Sequence, residues 1–147
     1  MMQKIKDYFN NDFEGKKIAV WGLAFKPDTD DIREAPAIYI ISELLAGGAE
    51  VTAFDPEAME NVSKVFGDRV QFCENAYDAL PDADALVIVT EWNVFRTPNF
   101  AKMKKLLKNK VIFDGRNIYG LENMKNLGFY YNSIGRAVIN ENVAVNS

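Results

Sequence analysis

Two cationic side chains, Lys26 and Arg116, stand in segments that come directly after short apolar runs. The first segment, residues 23–35, reads LAFKPDTDDIREA and also holds Arg33 at its far side. An ammonium is a point charge and a guanidinium is a planar fork, and both bind phosphate through charge-assisted hydrogen bonds. The pair therefore predicts a phosphate site if the fold brings the two segments together. The alternative is a pair of solvated surface cations.

The segment that carries Lys26 is long for a connection between a strand and a helix. It has about 13 residues where about 2–6 are usual, and long loops in compact domains are often functional. Pro27 favours an extended backbone at Lys26 and so fixes the direction in which its ammonium leaves the chain. Asp28, Asp30 and Asp31 can order the loop through turn-type hydrogen bonds to backbone N–H groups.

Short β-type runs alternate with helical segments along the chain. The predicted strands are residues 16–22, 50–55, 70–73, 84–90, 110–114 and 129–133. The predicted helices are residues 36–46, 56–66, 76–80, 99–107 and 121–127. Strands that alternate with helices form parallel sheets through right-handed crossovers. We therefore predict an α/β fold with a doubly wound, Rossmann-like sheet of six parallel strands in the order 3-2-1-4-5-6.

In an open α/β sheet, ligands bind outside the carboxyl ends of the strands, where the strand order reverses. In the predicted order, this switch point lies between the first and fourth strands. Segments 23–35, 91–96 and 114–117 follow strands one, four and five and are expected to meet there. Trp92 and Phe95 in the middle segment either cover a ligand ring or close the crevice over the core.

The segment after the first strand lacks the G-x-G-x-x-G pattern of dinucleotide-binding domains, and only Gly22 is present. Without these glycines a diphosphate cannot approach the backbone closely, so we expect the side chains of Lys26 and Arg116 to bind it. Neither cation has an obvious carboxylate partner nearby in the sequence beyond the loop aspartates. Asp55, at the end of the second strand, is interpreted either as a ribose contact or as a helix N-terminal residue.

The two ends of the chain stand outside the alternating pattern. In residues 1–14, Ile5, Tyr8 and Phe9 form an apolar stripe at helical spacing. Either this helix packs on the domain, or it is the remnant of a helix that joins a preceding domain. Residues 137–147 form a C-terminal tail for which the pattern predicts nothing.

Composition argues against several classes of function. A net charge of −4 disfavours a nucleic-acid partner. The chain has no His and one Cys, so a metal site is not expected and an internal disulfide is excluded. We interpret Cys73 as an inert core thiol. No apolar run approaches the ~20 residues of a membrane span, and the first residues do not form a signal peptide, so we expect a cytoplasmic protein.

Residues 20–36, VWGLAFKPDTDDIREAP, are similar to the start of the C-terminal, UDP-binding domain of UDP-glucose 6-dehydrogenases, within the UDP-glucose/GDP-mannose dehydrogenase family. Shorter motifs follow in the order that the family shows: FDP at 54–56, TEW at 90–92, FDGR at 113–116 and IGR at 134–136. The resemblance covers about residues 3–136, and the wording PDTDDIREAP is most similar to the UDP-glucose branch.

The resemblance implies a substrate site and a cofactor contact. Phe25 and Lys26 would contact a UDP-sugar, and Arg116 would help to hold it. Arg33 would reach NAD on the other side of the cleft. No catalytic residue and no metal ligand is implied in this chain, because the nucleophilic Cys belongs to the family's N-terminal domain and Cys73 does not match it.

The resemblance also implies the context of the domain. The complete enzyme of the family oxidises UDP-glucose to UDP-glucuronate in two NAD-dependent steps, and NAD is bound mainly by the N-terminal domain. The resemblance also implies a central helical domain in the same polypeptide, and the full-length protein is expected to form a homodimer. Residues 15–136 would be the UDP-sugar-binding domain, inactive by itself. The alternatives are the same domain of a UDP-N-acetylhexosamine or GDP-mannose dehydrogenase, and a free-standing nucleotide-binding module.

Overall fold

A parallel sheet forms the centre of the computed structural model, which describes residues 1–140. Its strands are β1 (Lys17–Trp21), β2 (Glu50–Phe54), β3 (Val70–Phe72), β4 (Ala85–Ile88), β5 (Val111–Asp114) and β6 (Tyr130–Asn132). They are joined in the order β3-β2-β1-β4-β5-β6, and every neighbouring pair is parallel. The prediction of a doubly wound, Rossmann-like α/β fold with strand order 3-2-1-4-5-6 is confirmed.

The two central strands, β1 and β4, are buried on both faces, which explains why continuous apolar runs in the sequence predicted them. Every residue of β4 is fully buried, and in β1 only Lys17 is partly exposed. Helices cover both faces of a doubly wound sheet, so a central strand is apolar on both sides instead of alternating. In the register, Val20 of β1 lies between Ala53 of β2 and Val87 of β4.

Six α-helices surround the sheet in the described part of the chain. They are α1 (Met2–Tyr8), α2 (Pro36–Ala46), α3 (Met59–Phe66), α4 (Asn93–Arg96), α5 (Phe100–Leu106) and α6 (Leu121–Leu127). The predicted helix at 76–80 is a short 3₁₀ helix, Ala76–Ala79, and a second 3₁₀ turn spans Gly67–Arg69. The sequence pattern did not predict α4, because four residues are too few for helical periodicity to show.

Helix α3 begins three residues later than predicted. The side chain of Asp55 accepts hydrogen bonds from the amide N–H groups of Glu57 and Ala58, at 2.8 Å each. These bonds hold the chain in a turn before the helix starts at Met59.

Helix α1 packs on the domain, as in the first of the two interpretations of residues 1–14. Met2 and Ile5 are buried in the core. The Tyr8 ring lies 5.7 Å from that of Phe113 and 4.7 Å from that of Tyr130, measured between centroids, so the helix covers β5 and β6. A continuation into a preceding domain stays a prediction.

The chain after β6 folds back along this edge strand. Tyr131 and Ile139 exchange two backbone hydrogen bonds of 2.8 and 2.9 Å in an antiparallel bridge. The bridge satisfies backbone groups that an edge strand otherwise leaves open. Of the predicted tail 137–147, residues 141–147 lie outside the described residues.

None of the helices found between residues 1 and 140 has the length and apolar character needed to cross a bilayer.

Candidate functional site

The carboxyl ends of β1 and β4 come very close together at the switch point. A Cβ atom on Gly22 would lie 2.5 Å from the backbone nitrogen of Thr90, and Gly22 has a φ of +95°. Only glycine fits both the space and this left-handed backbone. The Thr90 hydroxyl donates to the carbonyl oxygen of Ala24 at 2.7 Å and ties the two strand ends together.

The long loop after β1 is ordered mainly by Asp31. The Asp31 carbonyl oxygen accepts from the amide N–H of Phe25 at 2.7 Å, and its carboxylate accepts from the amide N–H of Arg33 at 2.9 Å. Asn61 of α3 donates to the carbonyl oxygen of Asp30 at 2.8 Å and anchors the loop from outside. We predicted turn-type bonds from three loop aspartates, and within residues 1–140 only the Asp31 side chain forms one.

Phe25 and Lys26 lie on the surface of this loop. The Phe25 side chain is exposed, although it is large and apolar. Within the described chain, the Lys26 ammonium has no hydrogen bond and no salt bridge. Both side chains are therefore accessible to a ligand that approaches the carboxyl ends of the strands.

Arg116 is anchored at one nitrogen and open at the other two. Its Nε donates to the carbonyl oxygen of Val89, just after β4, at 2.8 Å. The same Nε lies 3.8 Å from a carboxylate oxygen of Glu91. The expectation that Arg116 has no carboxylate partner beyond the loop aspartates is therefore wrong, because the turn after β4 brings Glu91 alongside it.

The Nη groups of Arg116 form no hydrogen bond with residues 1–140. Because Nε is fixed and the guanidinium is planar, the direction of these two donor groups is set in advance. This is the arrangement that favours two-point binding of an anion.

A cleft of about 240 Å³ opens beside Arg116. Its walls are mainly apolar and include Pro36 and Ile40 of α2 with Ile88 and Val89 at the end of β4. Lys26 is not among its lining residues. The structure thus places Arg116 in the cleft, while Lys26 stands outside it on the neighbouring loop.

Asp55 is a buried structural carboxylate. Its Oδ2 accepts from the amide N–H groups of Leu23 and Ala24, at 2.7 and 3.0 Å, and from Nε1 of Trp92 at 3.0 Å. Its Oδ1 accepts from the two amide groups that precede α3. Because no part of Asp55 is exposed, the structure favours the helix N-terminal interpretation over the ribose contact.

The aromatic residues after β4 pack and do not line the cleft beside Arg116. The Phe95 ring stacks on Trp21 with centroids 4.9 Å apart and an angle of 14° between the planes. Trp92 is almost fully buried and points its indole N–H at Asp55. Cys73 is also buried, and desolvation raises the pKa of its thiol, as expected for an inert core residue.

A second buried carboxylate, Asp114, lies at the end of β5. It accepts from the amide N–H groups of Arg116 and Ile118, at 2.8 Å each, and from the hydroxyl of Tyr131. Arg136 donates to that hydroxyl in turn, at 2.8 Å. Burial and then the bond to Asp114 raise the pKa of Tyr131, so its hydroxyl stays protonated.

The sequence pattern did not predict the hydrogen-bond network of Asp114, Tyr131 and Arg136. A signal for its first part was present, because Asp114 stands two residues before Arg116, which is the spacing of a side-chain turn. The contact between Tyr131 and Asp114 joins two different strands, and no local pattern reports it.

Arg33 lies on the outer face of the loop and is held by Asp31. Its Nη2 lies 2.8 Å from Asp31 Oδ2 and its Nε 3.0 Å from Oδ1. The Arg33 side chain is 88% exposed, so a ligand or another domain that covers the loop can contact it.

Replacing Arg33 with Ala is expected to raise the pKa of Asp31 from about 2 back toward its ordinary value of 3.8. The main cause of the low value is the hydrogen bond from the Arg33 side chain, which favours the charged carboxylate. A depressed carboxyl pKa contributes stability that is fully present above pH 3.8 and is lost as the pH falls through about 2. Carboxyl ¹³C titration by NMR measures the shift, and Arg96→Ala is the control. An unchanged Asp31 pKa in Arg33→Ala would contradict the pairing.

The parallel sheet, its strand order and the loops at its switch point define the chain as a Rossmann-like α/β domain. The model of the UDP-glucose/GDP-mannose dehydrogenase family, UDP binding domain, matches residues 19–121. The chain belongs to this family.

Its relatives include UDP-glucose 6-dehydrogenases of bacteria. The chain is 45% identical to that of Rhizobium meliloti over 136 residues, which cover 92% of this chain and 31% of the relative. It is 44% identical to UDP-glucose 6-dehydrogenase TuaD of Bacillus subtilis over 126 residues, 86% of this chain and 27% of the relative. The chain thus spans less than a third of the curated relatives it matches.

Solved structures give the same assignment of fold. A UDP-glucose dehydrogenase from Pyrobaculum islandicum has a TM-score of 0.69 and 32% identity, over 80% of this chain and 25% of that one. An NDP-N-acetyl-D-galactosaminuronic acid dehydrogenase from Methanosarcina mazei has a TM-score of 0.76 and 28% identity, over 92% of this chain and 28% of that one.

Proposed function

We propose that the chain is the C-terminal, UDP-sugar-binding domain of an NAD-dependent UDP-glucose 6-dehydrogenase. The substrate's diphosphate binds at the switch point, with Arg116 in the cleft and Lys26 on the loop beside it. Phe25 contacts the same ligand from the loop surface.

The observation that carries this proposal is the state of Arg116. One nitrogen is fixed to Val89, and the two Nη groups have no partner within the described part of the chain. A guanidinium that is about two-thirds covered and has no partners for its remaining donors is a suitable site for an anion. Membership of a family defined by a UDP binding domain supports a uridine diphosphate as that anion.

The proposal extends to the rest of the enzyme. Arg33, exposed on the outer face of the loop, meets NAD, which is bound mainly by an N-terminal domain. That domain and a central helical domain complete the polypeptide, which acts as a homodimer in the cytoplasm. The domain by itself reduces no NAD, because its only cysteine is the buried Cys73.

The sugar nucleotide is proposed to be UDP-glucose because of the similarity to dehydrogenases of that name. Three such bacterial relatives are 40–45% identical to the chain. The UDP-N-acetylhexosamine and GDP-mannose branches remain alternatives, and so does a free-standing nucleotide-binding module.

Calorimetric titration of the chain with UDP, GDP and uridine tests the proposal. We expect UDP to bind about 10- to 100-fold more tightly than uridine, because uridine lacks the groups that form charge-assisted bonds. Raising the salt concentration should lower the affinity for UDP and leave the affinity for uridine nearly unchanged, because salt screens the interactions of the diphosphate charge.

Two results would contradict this proposal. Equal affinities for UDP and uridine would remove the diphosphate site. Tighter binding of GDP than of UDP would assign the chain to the GDP-mannose branch.

A further inference from the structure

A continuous path of hydrogen bonds runs from the loop after β6 to the backbone of Arg116. Arg136 Nη2 donates to the hydroxyl of Tyr131 at 2.8 Å, and this hydroxyl donates to Asp114 Oδ2. The other oxygen of Asp114 accepts from the amide N–H of Arg116 at 2.8 Å. The path has three steps, and each is a direct contact.

The path is buried where it crosses the sheet. Asp114 and Tyr131 are fully buried, and Arg136 is partly covered. Inside a protein such bonds are stronger than in water and polarise one another. Loss of the Arg136 donor is therefore expected to alter the hydrogen bonds of Asp114, because water does not screen the bonds between them.

The Tyr131 hydroxyl is held between Arg136, which donates to it, and Asp114, which accepts from it. The Tyr131 hydroxyl has one proton, and two acceptors are near: Asp114 Oδ2 and, at 3.2 Å, the carbonyl oxygen of Tyr119. Arg136 approaches the hydroxyl oxygen as a donor and also holds the Tyr119 carbonyl oxygen through Nη1 at 3.0 Å. Asp114 Oδ2 is the nearer acceptor, so the proton points to the carboxylate, and Arg136 holds the hydroxyl oxygen from the other side.

Asp114 in turn sets the start of the turn that carries Arg116. Its carboxylate bonds the amide groups of Arg116 and Ile118, which fixes the backbone of the turn. From this backbone the Arg116 side chain reaches back to the carbonyl oxygen of Val89. A shift of the carboxylate would change the backbone position from which the Arg116 side chain starts.

From these contacts we infer that Tyr131 and Arg136 are positioning residues for Arg116. They orient Asp114 and thereby hold the Arg116 guanidinium in the direction that a diphosphate needs. The effect on binding rests on the proposed function, whereas the effect on the place of Arg116 does not. Sites work best when the residues behind them lock the binding groups before the ligand arrives.

The first test is a double-mutant cycle with UDP as the titrant. Tyr131→Phe removes the hydroxyl and keeps the ring, and we expect it to weaken UDP binding about 3- to 10-fold. In the Arg116→Ala background, the same change should alter the affinity less than twofold, because the group that it positions is gone. A general loss of structure would weaken binding equally in both backgrounds.

Matched variants separate position from packing. Tyr130→Phe is the control, because Tyr130 is the neighbour of Tyr131 on β6 and its hydroxyl forms no hydrogen bond within residues 1–140. Arg136→Met keeps the stem of the partly exposed side chain and removes its donors to Tyr131, Tyr119 and Ser133, so it tests the path from its outer end. It should repeat the result of Tyr131→Phe.

The second test needs no ligand. Solvent exchange of the Arg116 Nε–H, followed by ¹⁵N NMR, reports its bond to Val89. We expect exchange about 3- to 10-fold faster in Tyr131→Phe and in Arg136→Met, and unchanged exchange in Tyr130→Phe.

The two tests fail in different ways. A parent chain that does not bind UDP would contradict the proposed function, and the exchange rates would still decide the positioning role. Unchanged Arg116 exchange in both path variants would overturn the inference even if UDP binds. Equal affinity losses with and without Arg116 would also overturn it.

Discussion

Arg116→Ala is expected to weaken UDP binding by about 10- to 100-fold, because it removes a charge-assisted bond worth roughly 1.5–3 kcal/mol. The side chain is about two-thirds covered and its Nε is already fixed, so little order has to be gained when the ligand binds. Lys26→Ala should lie at the lower end of this range, since its ammonium is exposed and screened by water.

Calorimetric titration with UDP at two salt concentrations measures both losses. Lys105→Ala is the control, because Lys105 is exposed in the last turn of α5, near the start of β5 and away from the carboxyl ends of the strands, and forms no hydrogen bond or salt bridge within residues 1–140. Its affinity should stay within twofold of the parent, as exposed ion pairs contribute roughly 0–1 kcal/mol. If Arg116→Ala and Lys26→Ala also stay within twofold, the diphosphate does not bind at the switch point.

The sheet could be predicted because its physics is local. A strand buried on both faces must be a short apolar run, and the runs at 17–21 and 85–88 are of this kind. The right-handed crossover rule and the alternation of elements then leave few strand orders. The place of the candidate site was predicted from the strand order alone, since the switch point is a property of the topology, and ligand binding there stays a prediction.

The partners of the site residues could not be predicted in the same way. Glu91 lies beside Arg116 only because the chain turns sharply after β4, and the sequence does not show that this turn brings the two side chains together. Tyr131 meets Asp114 across two strands. The sequence does not distinguish the two roles of Asp55, because the N–H groups that it binds belong to residues far away in the sequence, Leu23 and Trp92 among them.

The role of Asp55 leads to the prediction with the largest effect on stability. Asp55→Ala is expected to lower the free energy of unfolding by about 3–5 kcal/mol: each buried donor left without a partner costs roughly 1–3 kcal/mol, and water that enters the space left by the side chain recovers part of the sum. Five donors are affected, and they come from three segments: the loop after β1, the turn before α3 and the indole of Trp92.

Urea denaturation measures this loss, with Asp30→Ala as the control. Asp30 is exposed in the same loop region, and its carboxylate accepts no hydrogen bond within residues 1–140, so its removal should change the unfolding free energy by less than about 0.5 kcal/mol. The slope against urea should be the same in all three proteins, which shows that the comparison concerns stability and not a change in compactness. If Asp55 bound the ribose of the ligand instead, Asp55→Ala would have the same stability as the parent and a lower affinity for UDP. A loss of stability below about 1 kcal/mol would therefore contradict the structural role, because a single unsatisfied buried donor already costs that much.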